Sequence, residues 1–184
     1  MLSEGDKAPQ FDLEADDGTR VTLKGSLRDD GFVVLYFYPR DNTPGCTREA
    51  QAFSAAKRKL AAAGATVLGV SKDSIKSHCG FKEKYALDFA LLSDPDLVAH
   101  RAYGAYGEKT MYGKKVMGTL RSTFLIDGKG RIARVWPNVK VDGHVEQVLA
   151  AIGGAEAAPV AKKTATKGAA ASAKKTAKKS AKKS

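Results

Sequence analysis

The chain has 184 residues, 43% hydrophobic and 28% charged, which supplies one packed core and excludes a wholly disordered chain. Its formal charge is +11, but nine lysines and no acid lie from Pro159 onward, leaving about +2 on the first 158 residues. No run approaches 18 consecutive apolar residues, so no membrane-spanning helix is expected. Two cysteines are too few for a disulfide scaffold, and a structural zinc would need the histidines as well. Leu2-Ser3-Glu4-Gly5-Asp6 is acidic rather than apolar, so the expected location is the cytoplasm.

Residues 7–22 predict a short hairpin, with Phe11, Leu13, Val21 and Leu23 alternating with polar residues around Asp16-Asp17-Gly18. Asp29-Asp30-Gly31 is a turn. The apolar run 32–38 is too short for a helix and reads as a central strand buried on both faces. Pro39 ends it, and a loop over 40–45 precedes a helix over 46–63, closed by Gly64. Residues 66–70 predict a second buried strand. Asp73 or Ser74 caps a helix over 75–85, and a short strand over 89–92 follows. Asp94-Pro95 opens another helix that ends near Tyr103-Gly104. Residues 123–127 and 132–136 form a hairpin around Gly128-Lys129-Gly130, and a last helix over 142–152 is stopped by Gly153-Gly154.

Strands alternating with helices indicate a three-layer α/β domain with an antiparallel edge. Thioredoxin-like, flavodoxin-like and other folds share this alternation. No Rossmann glycine fingerprint or P-loop follows the first buried strand.

The informative segment runs from Tyr36 to Cys46. A buried strand ends, a proline-bounded loop turns, and a cysteine opens a helix, where free N–H groups and the positive end of the helix lower a thiol pKa. Thr43 lies three residues earlier, close enough for its hydroxyl to reach the sulfur or a substrate oxygen, and Pro44 shields one side. A small buried hydrophobe at a helix start is the alternative for Cys46. Glu49 stands where a Cys-x-x-Cys partner would be, which excludes that redox pair.

The stretch YFYPRDNTPGCTREA resembles the active-site loop of the peroxiredoxins, and most closely that of the bacterioferritin comigratory protein, or peroxiredoxin Q, branch. The likeness continues through Ser71–Ser74, Ser77-His78, Phe89–Pro95, Tyr112–Val116, Gly118–Phe124 and Val139–His144, about residues 5–152 in all. It implies a thioredoxin-like fold, a central mixed sheet flanked by helices, and a thiol peroxidase acting on hydrogen peroxide and organic hydroperoxides. Cys46 matches the peroxidatic cysteine and Thr43 the peroxide-orienting threonine. Pro39 matches the proline that packs over the pocket, and Arg121 the arginine that arrives from a distant strand. No metal or organic cofactor is implied. Glu49 either bridges to Arg121 or only places favourable charge in the first helical turn. Tyr38 and Trp136 read as core or pocket wall, and His144 as a packing or capping residue.

In one version of the family the resolving cysteine follows five residues after the first, and here that position is Gln51. In another it lies in the helix after the next strand, nearer Lys82. The resemblance therefore implies Cys79, one turn earlier, as the resolving partner of Cys46 in an intramolecular disulfide reduced by thioredoxin or a similar dithiol. The alternative is an inert Cys79 and direct recycling by an external thiol. A monomer is implied.

Residues 1–153 are thus expected to form the thioredoxin-like domain and 154–184 a disordered tail. That tail resembles the Lys/Ala-rich tails of linker histones and offers non-specific nucleic-acid binding, with nucleoid association open. It lacks the apolar residues of a membrane anchor. A protein whose main role is carried by the tail is the competing function.

Overall fold

The computed structural model describes residues 2–111 and 113–155. In chain order the elements are β1 (Asp12–Ala15), β2 (Arg20–Thr22), α1 (Leu23–Ser26), β3 (Phe32–Phe37), α2 (Pro44–Ala62), β4 (Ala65–Ser71) and α3 (Ile75–Tyr85). There follow β5 (Ala90–Ser93), α4 (Val98–Ala102), β6 (Tyr106–Met111), β7 (Lys114–Thr119), β8 (Ser122–Asp127), β9 (Ile132–Trp136) and α5 (His144–Ala155).

Seven strands form one mixed sheet in the order β2-β1-β5-β4-β3-β8-β9, and β6 and β7 form a separate hairpin. Strand β3 is central, parallel to β4 and antiparallel to β8. Its two-residue alternation serves both faces. Val33, Leu35 and Phe37 pack with Leu23 of α1 and with Ala99 and Tyr103 at α4. Val34 and Tyr36 pack with Cys46, Ala50, Phe53 and Leu60 of α2, Phe81 of α3 and Val148 and Ile152 of α5. The arrangement is the thioredoxin-like fold with helices on both faces of the sheet. Tyr36 stacks on Phe53 at a centroid distance of 4.8 Å. The cross-strand partner of Tyr36 is Gly69, where a Cβ would stand 2.8 Å from the Tyr36 hydroxyl. Only a glycine leaves room for that ring.

The structure moves several expected boundaries. Helix α2 starts at Pro44, two residues early, because proline loses nothing at the first helical position. Helix α4 starts at Val98 rather than at Pro95. Asp94 caps it from outside, its carboxylate accepting the N–H groups of Val98 and His100 at 2.8 and 2.9 Å. Helix α5 runs through Gly153 and Gly154 to Ala155 instead of stopping at them. The hairpin β6–β7 was not foreseen, since its mixed sequence carries no clean alternation. The tail from residue 156 lies outside the described residues. No helix among the described residues is long and apolar enough to cross a membrane.

Candidate active site

The end of β3 determines where the site forms. Phe37 pairs with Ser122 of β8, so Arg121, one residue earlier, stands beside the loop that leaves β3. Its backbone is fixed there, the carbonyl accepting the N–H of Val139 at 2.9 Å. The loop turns through Asn42, whose φ of 57° lies in the left-handed region that asparagine tolerates. It then enters α2 with Thr43 as the N-cap.

Cys46 sits in the first turn of α2 and is 1% exposed. The first backbone bond of the helix runs from Thr47 N–H to the Thr43 carbonyl at 2.9 Å. The N–H groups of Gly45 and Cys46 precede it and have no intrahelical acceptor. Arg121 Nη2 donates to Cys46 Sγ at 3.2 Å, and its Nη1 pairs with Glu49 Oε2 one turn along the helix. Gly45 makes this approach possible, because a Cβ there would stand 3.3 Å from Arg121 Nη2.

Electrostatically the cluster is a partly buried cation between two buried acidic groups. Burial disfavours the Arg121 charge, yet Glu49 and Cys46 together hold the guanidinium above its ordinary pKa. Burial pushes the Glu49 carboxyl up to about 7 against the pull of Arg121, and Glu49 Oε1 has no hydrogen-bond partner among the described residues. His144 backs the site. Its Nε2 lies 2.8 Å from the Thr123 hydroxyl and its ring meets Phe53 and Trp136 edge-on. Burial, with repulsion from Arg121, pushes its pKa down to about 4, so the ring is neutral near pH 7.

The structure therefore brings Cys46 and Arg121 together and resolves the two readings of Glu49 as a bridge to Arg121. Thr43 and Pro39 lie in the same loop. The Thr43 hydroxyl donates to the Arg40 carbonyl at 3.1 Å rather than to the sulfur. Pro39 is half-buried just after Tyr38.

Cys79 is not brought to the site, and the expected Cys46–Cys79 disulfide is overturned. Both cysteines are free thiols, Cys46 buried and Cys79 exposed. Cys79 Sγ donates to the Asp16 carbonyl at 2.9 Å, and Lys82 on the same face of α3 holds the Asp16 carboxylate at 2.6 Å. That face is committed to the β1–β2 turn. The inward face of α3 carries His78 and Phe81 instead.

The buried Asp41 and His78, with the half-buried Ser77, form a cluster behind the loop that the sequence reading missed. The Ser77-His78 pair carried the only signal, and nothing linked it to Asp41, 37 positions away. Among the described residues, no three His, Cys, Asp or Glu side chains gather as a metal site.

Comparison with known proteins agrees with this geometry. The AhpC/TSA family model matches residues 4–135. The chain belongs to this family, as a peroxiredoxin of the bacterioferritin comigratory protein/peroxiredoxin Q kind. Peroxiredoxin Bcp of Xanthomonas campestris is 46% identical over 147 residues, covering 79% of this chain and 91% of the relative. Peroxiredoxin Bcp of Bacillus subtilis is 44% identical over 148 residues, covering 79% and 91%. Among solved structures, the Xanthomonas campestris bacterioferritin comigratory protein, studied for alkyl peroxide reduction, matches with a TM-score of 0.73. It is 44% identical, over 78% of this chain and 90% of that one. A cysteine-to-serine mutant of Xylella fastidiosa PrxQ matches with a TM-score of 0.78 at 40% identity, over 84% and 97%.

Proposed function

We propose that the chain is a thiol peroxidase that reduces hydrogen peroxide and organic hydroperoxides through Cys46, and that an external thiol resolves the oxidised sulfur. The observation that carries this reading is the Arg121 guanidinium aimed at a buried thiol in the first turn of a helix, 3.2 Å away. Arg121 and the free N–H groups of α2 stabilise negative charge on the sulfur and then on the peroxide oxygens. The thiolate attacks the terminal peroxide oxygen and the O–O bond breaks. The leaving alkoxide or hydroxide takes a proton, and Cys46 becomes a sulfenic acid. Thr43 supplies a hydroxyl at the mouth of the loop, and Pro39 limits the freedom of its start.

With Cys79 turned to Asp16, the sulfenic acid meets an outside thiol. That thiol displaces water and leaves a mixed disulfide with Cys46. A second thiol of the reductant then attacks, releasing Cys46 and carrying away the disulfide. Thioredoxin, or a dithiol like it, fits this role. In a thioredoxin-coupled assay Cys79→Ser should turn over like wild type, while Cys46→Ser should be inactive. Loss of turnover in Cys79→Ser would contradict recycling by an external thiol.

We further propose that the catalytic domain is cytoplasmic and ends with α5 near residue 155, two residues past the expected 153, and that the residues after it are an appendage. Nine lysines without an acid from Pro159 onward support salt-sensitive, sequence-blind association with nucleic acid. Full-length protein should bind duplex DNA at low salt and release it as salt rises, and a chain ending at Ala158 should not bind. Equal binding by both would leave the tail without this role.

A further inference from the structure

The loop that leads into Cys46 is tied down at its near end by a buried carboxylate. The side chains of Asp41 and His78 are 2% and 0% exposed. Asp41 Oδ1 accepts the Tyr38 hydroxyl at 2.8 Å. Its Oδ2 accepts the Ser77 hydroxyl at 2.7 Å and faces His78 Nδ1 at 2.9 Å. The N–H of Asp41 donates to Asp73 Oδ2 at 2.9 Å, and Asp73 is itself fixed by the Ser71 hydroxyl at 2.8 Å. A carboxylate withdrawn from water needs such donors. Burial raises its pKa, but His78, Ser77 and Tyr38 outweigh that and hold it below the ordinary carboxylate value.

These bonds join the loop to the β4–α3 turn and the start of α3. Cys46 is held from the other side by Arg121. An external thiol, bulkier than a small peroxide, must reach the sulfur of a residue that is only 1% exposed. The loop and the first turn of α2 therefore have to open for resolution. We propose that Asp41 and His78 are positioning residues that clamp this loop closed. They thereby set the balance between a closed form that reacts with peroxide and an opened form that reacts with the reductant. The two half-reactions rest on the peroxidase reading; the clamp itself does not.

Losing a hydrogen bond to a buried charge shifts such a balance by about tenfold or more. The test uses the full reduced chain and a bulky maleimide, with Cys46 and Cys79 read on separate peptides. His78→Leu should raise Cys46 labelling about tenfold. Ser77→Ala should raise it less. His78→Asn, whose amide nitrogen replaces Nδ1, should stay near wild type. In single turnovers, His78→Leu should also slow oxidation of Cys46 by hydrogen peroxide and speed reduction of the sulfenic acid by dithiothreitol. A merely structural His78 would lower the melting temperature without moving the two steps in opposite directions. If His78→Leu does not fold, Ser77→Ala decides. Unchanged Cys46 labelling in folded His78→Leu and Ser77→Ala would overturn the clamp. A wild-type Cys46 inert to peroxide would instead end the peroxidase reading, and the labelling would still judge the clamp.

Discussion

Arg121 Nη2 stands 3.2 Å from Cys46 Sγ although the two residues are 75 positions apart in the chain. The antiparallel pairing of β8 with β3 makes this meeting, and Glu49 completes it by holding the other guanidinium nitrogen.

Replacing Arg121 by Met removes a donor aimed at charge that develops as the O–O bond breaks. The peroxide step should slow by about 10²–10³, the usual effect of losing such a donor. Reduction of the sulfenic acid should change far less, and stopped-flow rates of the two half-reactions separate them. The same substitution strands Glu49 in the core, where breaking a buried pair costs about 3–5 kcal/mol, moderated here by the readiness of Glu49 to take a proton. Adding Glu49→Leu should recover stability without recovering rate.

Gly45 offers a subtler probe. Gly45→Ala gains helix propensity, worth up to about 1 kcal/mol. Its new Cβ, 3.3 Å from Arg121 Nη2, crowds the guanidinium and shifts it by a few tenths of an ångström from its place beside the sulfur. Stability should hold or rise while the peroxide step slows, and Gly45→Val should slow it further. Thermal melts beside stopped-flow oxidation check both.

His144 and Glu49 give opposite pH dependences of stability. The folded-state pKa of His144 is depressed to about 4 from 6.5, so its contribution is present above about 6.5 and is lost as pH falls toward 4. That of Glu49 is raised to about 7 from 4.5, so its contribution is present below about 4.5 and is lost as pH rises toward 7. Across about pH 4.5–6.5 the two slopes oppose, each at most about 1.4 kcal/mol per pH unit. Relative to wild type, His144→Asn should lose stability with rising pH and Glu49→Gln should gain it. Denaturant midpoints across this window test the signs.

Much of the fold was legible because its signals are local. The buried run at β3 needed no partner to be recognised, and Pro44 and Gly64 punctuate α2 in the sequence itself. Cys46 was legible for the same reason, as a cysteine after a proline-bounded loop. The Asp41–His78 bond was not, because it joins residues 37 positions apart and neither is unusual where it stands. Cys79 misled because helical spacing gives a face but not its direction. The face it shares with Lys82 turns to Asp16, a contact 63 positions away. The hairpin β6–β7 escaped because its strands pair chiefly with each other and bury no alternating apolar face.

The most direct test is to expose fully reduced protein to one equivalent of hydrogen peroxide, trap with a sulfenic-acid-specific dione, and map both cysteine peptides. The adduct should form on Cys46, with Cys79 still a free thiol and no reaction in Cys46→Ser. Peroxide consumed with Cys46 unmodified, or consumed equally fast by Cys46→Ser, would contradict the peroxidase reading of Cys46.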